Sequence, residues 1–303
     1  MTELLKSEIK RIADITENNL RTVISGYRNN PLYAEELSGV IDSAEYSLLA
    51  GGKRLRPFLV HSFCSMCQGK EEDALAPASA IEMLHTYSLI HDDLPCMDND
   101  DYRRGKPTNH KVFGEATAVL TGDGLLTEAF SVICNSSLSN DIKVKLVSVL
   151  SSRAGLLGMI GGQEIDLKSE GVNISQETLL TLQRKKTGML FEAASQMGCI
   201  ASGNYSDSLL SAASSFAHSF GLAFQITDDI LDVTGSSEII GKNVGSDAKE
   251  CKYTFVTHLG IEGAKKEAKS QIESAKSILV DFFGRKESSA LTDLCDYIIY
   301  RDK

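Results

Sequence analysis

Phe216-Ala217-His218-Ser219-Phe220-Gly221-Leu222-Ala223-Phe224-Gln225-Ile226-Thr227-Asp228-Asp229-Ile230-Leu231-Asp232 is an apolar helical run that ends in carboxylates. Asp228 and Asp232, four residues apart, project from one helix face, with Asp229 offset to the side. Helical periodicity continues outward to both ends of the chain, through Leu5, Ile9 and Ile12 at the start and Leu291, Leu294, Cys295 and Ile298 at the finish. Strand-like alternation is scarce. The five prolines, Pro31, Pro57, Pro77, Pro95 and Pro107, are all early, and the Pro-free remainder suits long uninterrupted helices. The expected fold class is all-α.

A second acidic cluster follows another apolar helical stretch, residues 81–90. It runs Asp92-Asp93-Leu94-Pro95-Cys96-Met97-Asp98 and on to Asp100 and Asp101. Six residues turn a regular helix by about 600°, so Asp92 and Asp98 would point apart on one. Pro95 disfavours helix at Leu94, which predicts a helix end there and a loop that returns Asp98 towards Asp92. Carboxylates crowded at the edge of a core repel one another and resist desolvation unless a cation neutralises them. An all-oxygen donor set suits a hard cation, Mg2+ above all, which keeps waters and completes its shell with substrate phosphates.

The 303 residues are long enough for two average domains, and large helical folds also reach this size as one. The expected loops, 68–73, 98–108, 169–173, 202–207, 235–247 and 283–287, contain no low-complexity linker dividing two cores, so residues 1–303 are taken as a single domain. No apolar run approaches a membrane span and the N-terminus lacks a signal pattern, which points to a soluble cytoplasmic protein without an integral membrane segment. A net charge of −10 argues against nucleic acid as a partner. Seven cysteines without an export signal fit reduced thiols. Cys64 and Cys67 have the spacing of half a zinc site, but no second pair exists, and core packing is the plainer account.

Basic groups accompany the carboxylates: residues 51–57 (GGKRLRP), Arg103-Arg104-Gly105-Lys106, Lys185-Lys186-Thr187-Gly188, and Lys242 with Lys252 after the second acidic cluster. Glycine beside a cation lets backbone approach a diphosphate closely, and Arg binds phosphate oxygens in a bidentate manner. Singly, such groups are ordinary solvated charges. Together with two carboxylate clusters they suggest two anions, one held through metal and one held directly. His85 on an apolar helix is ordinarily a core or boundary residue. Glu82-Met83-Leu84-His85 matches one element of a di-iron bundle, but no second copy completes it. Residues 155–166 read as a helix whose glycines permit close packing, with Gln163 and Asp166 able to face the same cavity.

The ordered set of GGKRLRP (51–57), HDDLPCMDNDDYRRGKPT (91–108), GGQEIDL (161–167), KTG (186–188) and FQITDDILD (224–232) resembles the trans-prenyl diphosphate synthases, most closely their bacterial-type farnesyl branch. That resemblance implies one large antiparallel helical bundle around a central cavity, and a homodimer. It implies that Asp92, Asp98 and Asp228 are the main ligands of three Mg2+ ions gripping an allylic diphosphate, with Asp93, Asp229 and Asp232 in support. Arg103, Lys186, Lys242 and Lys252 would contact that diphosphate. Gly52, Lys53, Arg56, His85 and Arg104 would hold isopentenyl diphosphate, while Thr187 and Gln225 would direct oxygen dipoles at a developing carbocation.

Product length is expected to depend on Tyr87, with Ser88 beside it. Five helical positions before Asp92 lie about 7.5 Å back along the axis, where an alkyl tail would grow. An aromatic there resembles farnesyl (C15) synthases. The surrounding residues 99–115 resemble plant geranylgeranyl (C20) enzymes, which keeps C20 as the alternative. A class I terpene cyclase would not need the cationic site at Lys53 and Arg56, and a noncatalytic partner subunit would not need both acidic motifs intact.

Overall fold

The structure is a computed structural model, and residues 1–234 and 253–300 are described. Its α-helices are α1 (Glu3–Arg28), α2 (Ser38–Leu48), α3 (Leu55–Met66), α4 (Glu71–Asp92), α5 (Asn109–Phe113), α6 (Glu115–Cys134), α7 (Asn140–Ala154), α8 (Met159–Ser169), α9 (Gln176–Gln183), α10 (Met189–Ala201), α11 (Asp207–Thr234), α12 (Phe255–Phe283) and α13 (Ser289–Tyr300). Among the described residues the strands amount to one hairpin, β1 (Tyr102–Arg103) against β2 (Lys106–Pro107), inside the loop expected at 98–108.

Local chemistry explains where several helices start. The side chains of Thr2, Ser139, Ser175 and Thr254 accept from the backbone N–H three residues on, satisfying donors that the first helical turn leaves open. The outer helix α1 buries one stripe, Leu5, Ile12, Thr16, Leu20 and Ile24. By contrast, α10 is buried on almost every side and runs through the middle of the bundle, against α3, α4, α7 and α11. Rings knit these helices: Phe63 lies 5.4 Å from Phe216 and 5.3 Å from Phe283, and Phe216 stacks on Phe220. Cys64 and Cys67 are buried in this core, in agreement with packing rather than zinc.

Two features depart from the sequence expectation. Residues 155–166 are not one helix, because α7 stops at Ala154 and Gly155–Gly158 form a turn before α8. Gly155 and Gly158 take non-helical backbone angles, and a Cβ on Gly158 would lie 1.9 Å from the Arg153 carbonyl oxygen. In addition, α6 and the segment 140–169 are long and apolar enough, by length and composition alone, to cross a membrane, and their apolar windows are only 39% and 28% buried. In this bundle α6 packs on α2, α4 and α7, so its apolar character serves the core on one side.

The close approach of α10 to α3 needs a particular glycine. A Cβ on Gly198 of α10 would stand 2.4 Å from the Val60 carbonyl oxygen and 2.7 Å from the Phe63 Cβ of α3, both immovable without parting the helices. Gly198→Ala is expected to destabilise the protein by about 1–3 kcal/mol, the usual range for overpacking. Gly26→Ala, at an exposed helical position with nothing within 4 Å, should be neutral or gain up to about 1 kcal/mol. Denaturant unfolding of the two variants measures this, and equal stabilities would contradict the close approach.

Candidate active site

The end of α4, the start of α3, α6, α8 and the turn between α9 and α10 meet around a cavity of about 560 Å3. Leu89, Met97, Leu126, Met159, Leu167 and Leu190 give it apolar walls, while Arg56, His85, Asp92, Lys186 and Thr187 supply charge and polarity. Tyr87 and Ser88, expected to limit a growing tail, both line it. Tyr87 is buried and sits edge-on to His91 with 5.5 Å between ring centroids. Burial pushes its phenol up to about 12, with Asp92 and Asp123 adding to the effect. His91 is seated by Gly122 of α6, where a Cβ would fall 2.0 Å from its Nε2.

The first acidic cluster folds as its proline suggested, although the helix stops at Asp92 rather than Leu94. The Asp98 N–H donates to the Asp92 carbonyl at 2.9 Å, which returns Asp98 to the helix end. Burial raises the Asp92 carboxyl to about 6; Asp98 and Asp93 push the same way, and Lys186 and Arg103 oppose them. Asp93 is only 3% exposed and accepts from Arg103 Nε at 2.7 Å. Asp100 lies 3.5 Å from the same guanidinium. Burial works against the Arg103 cation, but Asp93, Asp100 and Asp92 hold it above its usual range.

Lys186 and Thr187 lie in a single turn of π-helix, Arg184–Gly188, that joins α9 to α10. Such turns displace side chains from the regular helical face and recur at functional sites. Gly162 of α8 presses on this turn, since a Cβ there would lie 2.2 Å from the Lys186 nitrogen. Lys186 forms an ion pair with Asp166 of α8. The Thr187 hydroxyl donates to Gln225 Oε1 at 3.2 Å, and Gln225 Nε2 donates to Asp229 Oδ1 at 3.0 Å. With its proton committed to Gln225, the Thr187 oxygen keeps lone pairs for the cavity. Gln225 itself stands behind Thr187 and is not among the cavity-lining residues.

Asp229, expected in a supporting place beside a metal, accepts hydrogen bonds from the protein through both oxygens. It is 2% exposed, and its second oxygen accepts the Phe255 N–H at 2.9 Å, tying α11 to the start of α12. Asp228 and Asp232 are half-buried on α11, one and two turns beyond Gln225. Lys242 and Lys252 lie outside the described residues.

On the opposite side, Gly52 has φ 122°, and a Cβ there would lie 2.8 Å from the Arg104 guanidinium carbon. Arg104 donates to the Gly51 carbonyl. Arg56 packs its guanidinium 4.7 Å from the Phe191 ring centre, its Nε is buried without a partner, and burial lowers it to about 10. His85 is driven well below its ordinary range by burial and by Arg56, Arg104, Arg103 and Arg54, so it is neutral near pH 7. Lys53 is exposed and lies 3.1 Å from the Tyr297 hydroxyl of α13, a partner with no signal in local sequence.

Among the described residues no three His, Cys, Asp or Glu side chains enclose an ion by themselves. The donor set still fits a hard divalent cation shared with phosphate, which takes one or two carboxylates and fills its remaining positions from substrate and water. The Asp92 carboxyl, raised chiefly by burial and further by Asp98 and Asp93, is a place where added positive charge would be favourable.

Residues 39–281 match the family model described as Polyprenyl synthetase. The farnesyl diphosphate synthase of Escherichia coli (strain K12) is 43% identical over 268 residues, covering 87% of this chain and 90% of that one. The chloroplastic geranylgeranyl pyrophosphate synthase of Capsicum annuum is 47% identical over 264 residues, covering 86% of this chain and 71% of the relative. The crystal structure of an apo FPP/GFPP synthase from Zymomonas mobilis superposes with a TM-score of 0.86 at 35% identity, covering 98% of this chain and all of that one.

An acid whose folded pKa is raised stabilises the fold below its ordinary pKa and loses that contribution as pH rises through the folded value. For Asp92 this window runs from about 4 to about 6. In metal-free buffer, Asp92→Asn is therefore expected to match the wild-type melting temperature near pH 4 and exceed it above pH 6. A gap that stays constant across the range would refute the crowding of Asp92.

Proposed function

This chain belongs to the polyprenyl synthetase family, and we propose that it condenses isopentenyl diphosphate with dimethylallyl and then geranyl diphosphate to give farnesyl diphosphate, C15. The observation that carries this reading is the pairing, around one apolar cavity, of a carboxylate-bearing helix end at Asp92 with a direct anion-binding cradle at the Arg56 cation and neutral His85. A cyclase has no use for the second cradle.

In this reading the Arg56 guanidinium, with its unpartnered Nε, and neutral His85 bind the isopentenyl diphosphate, together with Lys53 and Arg104. The allylic diphosphate lies between Asp92 and Asp98 on one side and Asp228 with Asp232 on the other. Mg2+, three ions in the family pattern, would be held by these carboxylates and would supply charge neutralisation to the leaving diphosphate. Lys186 and Arg103, parked on Asp166 and Asp93 without substrate, turn part of their charge to the diphosphate. The allylic C–O bond ionises, the isopentenyl alkene attacks the cation, and the departing diphosphate takes the proton that is lost. Thr187 points oxygen lone pairs at the cation while the apolar walls exclude water. Preorganised charge carries most of the acceleration.

Tyr87 supports C15, because a buried ring lines the cavity where the tail extends. The dimer is a proposal supported by apolar side chains on neighbouring elements, Val119 and Leu120 of α6, Val144 of α7, and Leu156 and Leu157 of the next turn, the last two 82% exposed. A second copy of the chain is the occupant we assign to that face, and this reading accounts for the apolar, weakly buried segments 115–134 and 140–169 without a membrane. The water-soluble substrates suit a cytoplasmic location, and the large buried cluster running from Leu5 to Ile298 supports a single domain spanning 1–303.

With Mg2+, isopentenyl diphosphate and geranyl diphosphate, the purified protein is expected to yield mainly C15 alcohol after phosphatase treatment. Asp92→Ala or Asp228→Ala should lower turnover at least about a hundredfold. Tyr87→Ala should shift the product to C20 or beyond, and an unchanged product would remove Tyr87 from the floor. Light scattering should give about twice the 32.9 kDa chain mass; a monomer would contradict the assigned interface.

A further inference from the structure

Glu82 is 1% exposed, in the middle of α4 and one turn before His85. Its carboxylate forms an ion pair with Arg54, and both side chains are almost wholly enclosed. Arg54 is the residue just before α3 and takes a left-handed conformation, φ 48° and ψ 42°, that a branching side chain rarely adopts. Its other guanidinium nitrogen donates to the Leu48 carbonyl at the end of α2. Arg54 therefore faces away from the cavity, pinning the 51–56 loop to α2 and α4, while Arg56 two residues on faces into it.

The charges around this pair are one-sided. Arg54, Arg56, Arg103 and Arg104 all disfavour protonation of His85. Glu82 is the anion whose field supports the charged form of Arg56, and it is the leading support for Arg104, ahead of Asp93. A buried charge without a partner is strongly unfavourable, and Arg56, whose Nε is buried without a hydrogen-bond partner, is helped to stay charged by this carboxylate.

The geometry points to Glu82 as a positioning residue that, through Arg54, holds the Arg56 and Arg104 guanidinium groups ready for the diphosphate of the non-allylic substrate. This rests on the assignment of that cradle to isopentenyl diphosphate. Glu82 touches no substrate in this arrangement. Its effect is to fix a strained loop and to keep neighbouring cations together before an anion arrives, which lowers the reorganisation that binding requires.

A different physical role for the same residue predicts the opposite sign. If Glu82 acted only as a nearby negative charge, removing it would tighten anion binding. If it positions, removing it loosens binding although the site becomes more positive. The test is titration of the full chain with inorganic pyrophosphate in EDTA, followed by the Michaelis constants for isopentenyl and geranyl diphosphate. Glu82→Ala and Arg54→Met are each expected to weaken pyrophosphate binding and raise KM for isopentenyl diphosphate at least about tenfold, since small misplacements cost this much or more. KM for geranyl diphosphate should change by less than about twofold, and Glu82→Gln, which keeps a hydrogen-bond acceptor for Arg54, should fall between. Because either single variant leaves a buried charge, the double variant Glu82→Met/Arg54→Met serves as the folding control. Apolar replacement of a whole buried pair is commonly tolerated, so it should melt near wild type yet keep the loss in binding. Tighter pyrophosphate binding in Glu82→Ala, equal rises in both Michaelis constants, or recovered affinity in the double variant would each overturn the inference. A wild-type protein that binds pyrophosphate but forms no prenyl product would instead refute the condensation reading and leave the Glu82 measurement standing.

Discussion

Charge has to be stored at the edge of an apolar cavity, and the internal pairing of that charge shapes everything around it. Arg103 rests on Asp93, Lys186 on Asp166 and Arg54 on Glu82, each cation meeting a carboxylate from another stretch of chain. These pairs differ in kind. Arg54 with Glu82 is enclosed and has no route to substrate, whereas Lys186 is partly exposed and lines the cavity. A buried pair resists separation because each partner would be left as an uncompensated charge. A partly exposed one exchanges partners at little cost when a polyvalent anion arrives. Fixed and exchangeable pairs thus divide the site into scaffold and contact surface.

Asp92 follows from the same constraint. Asp92, on the cavity wall, is pushed up to about 6 chiefly by burial, with Asp98 and Asp93 adding repulsion against the pull of Lys186 and Arg103. A divalent cation held there would offset that cost, which would link its affinity to the geometry of the 92–98 loop. The backbone bond from Asp98 to Asp92 keeps the loop closed, so the second carboxylate does not have to be brought in from solvent.

The helical class and the return of Asp98 were legible because both depend on local chemistry: apolar period, a proline and a short loop. The π turn at Lys186 was not, since its extra residue is imposed by Gly162 pressing from α8, a contact distant in sequence. For the same reason the sequence does not tell Asp228 and Asp229 apart. Adjacent carboxylates look equivalent in a string, but one face of α11 meets the Phe255 N–H and the other does not. Gln225 behaves likewise, acting behind Thr187 instead of facing the cavity. Glu82 was visible as one half of a di-iron pattern, and the second half of its true environment, Arg54, sits 28 residues away on a left-handed turn.

Overall similarity is a poor guide to product length, because identity to a plant C20 synthase, 47%, slightly exceeds identity to a bacterial C15 synthase, 43%. Most of the matched residues build helices and diphosphate contacts that both chemistries need. Length is decided where the tail stops, and only a few wall positions register it. Tyr87 is the one proposed here, and its ring is held by an edge-on contact with His91, which in turn is seated on Gly122 of α6. A floor made of one ring would yield to a growing tail by rotating. A ring braced through a second aromatic against a neighbouring helix has to move that helix as well, and close-packed interiors resist such movement. On the proposed reading, product length would therefore depend on the packing of α4 against α6 as much as on the size of residue 87.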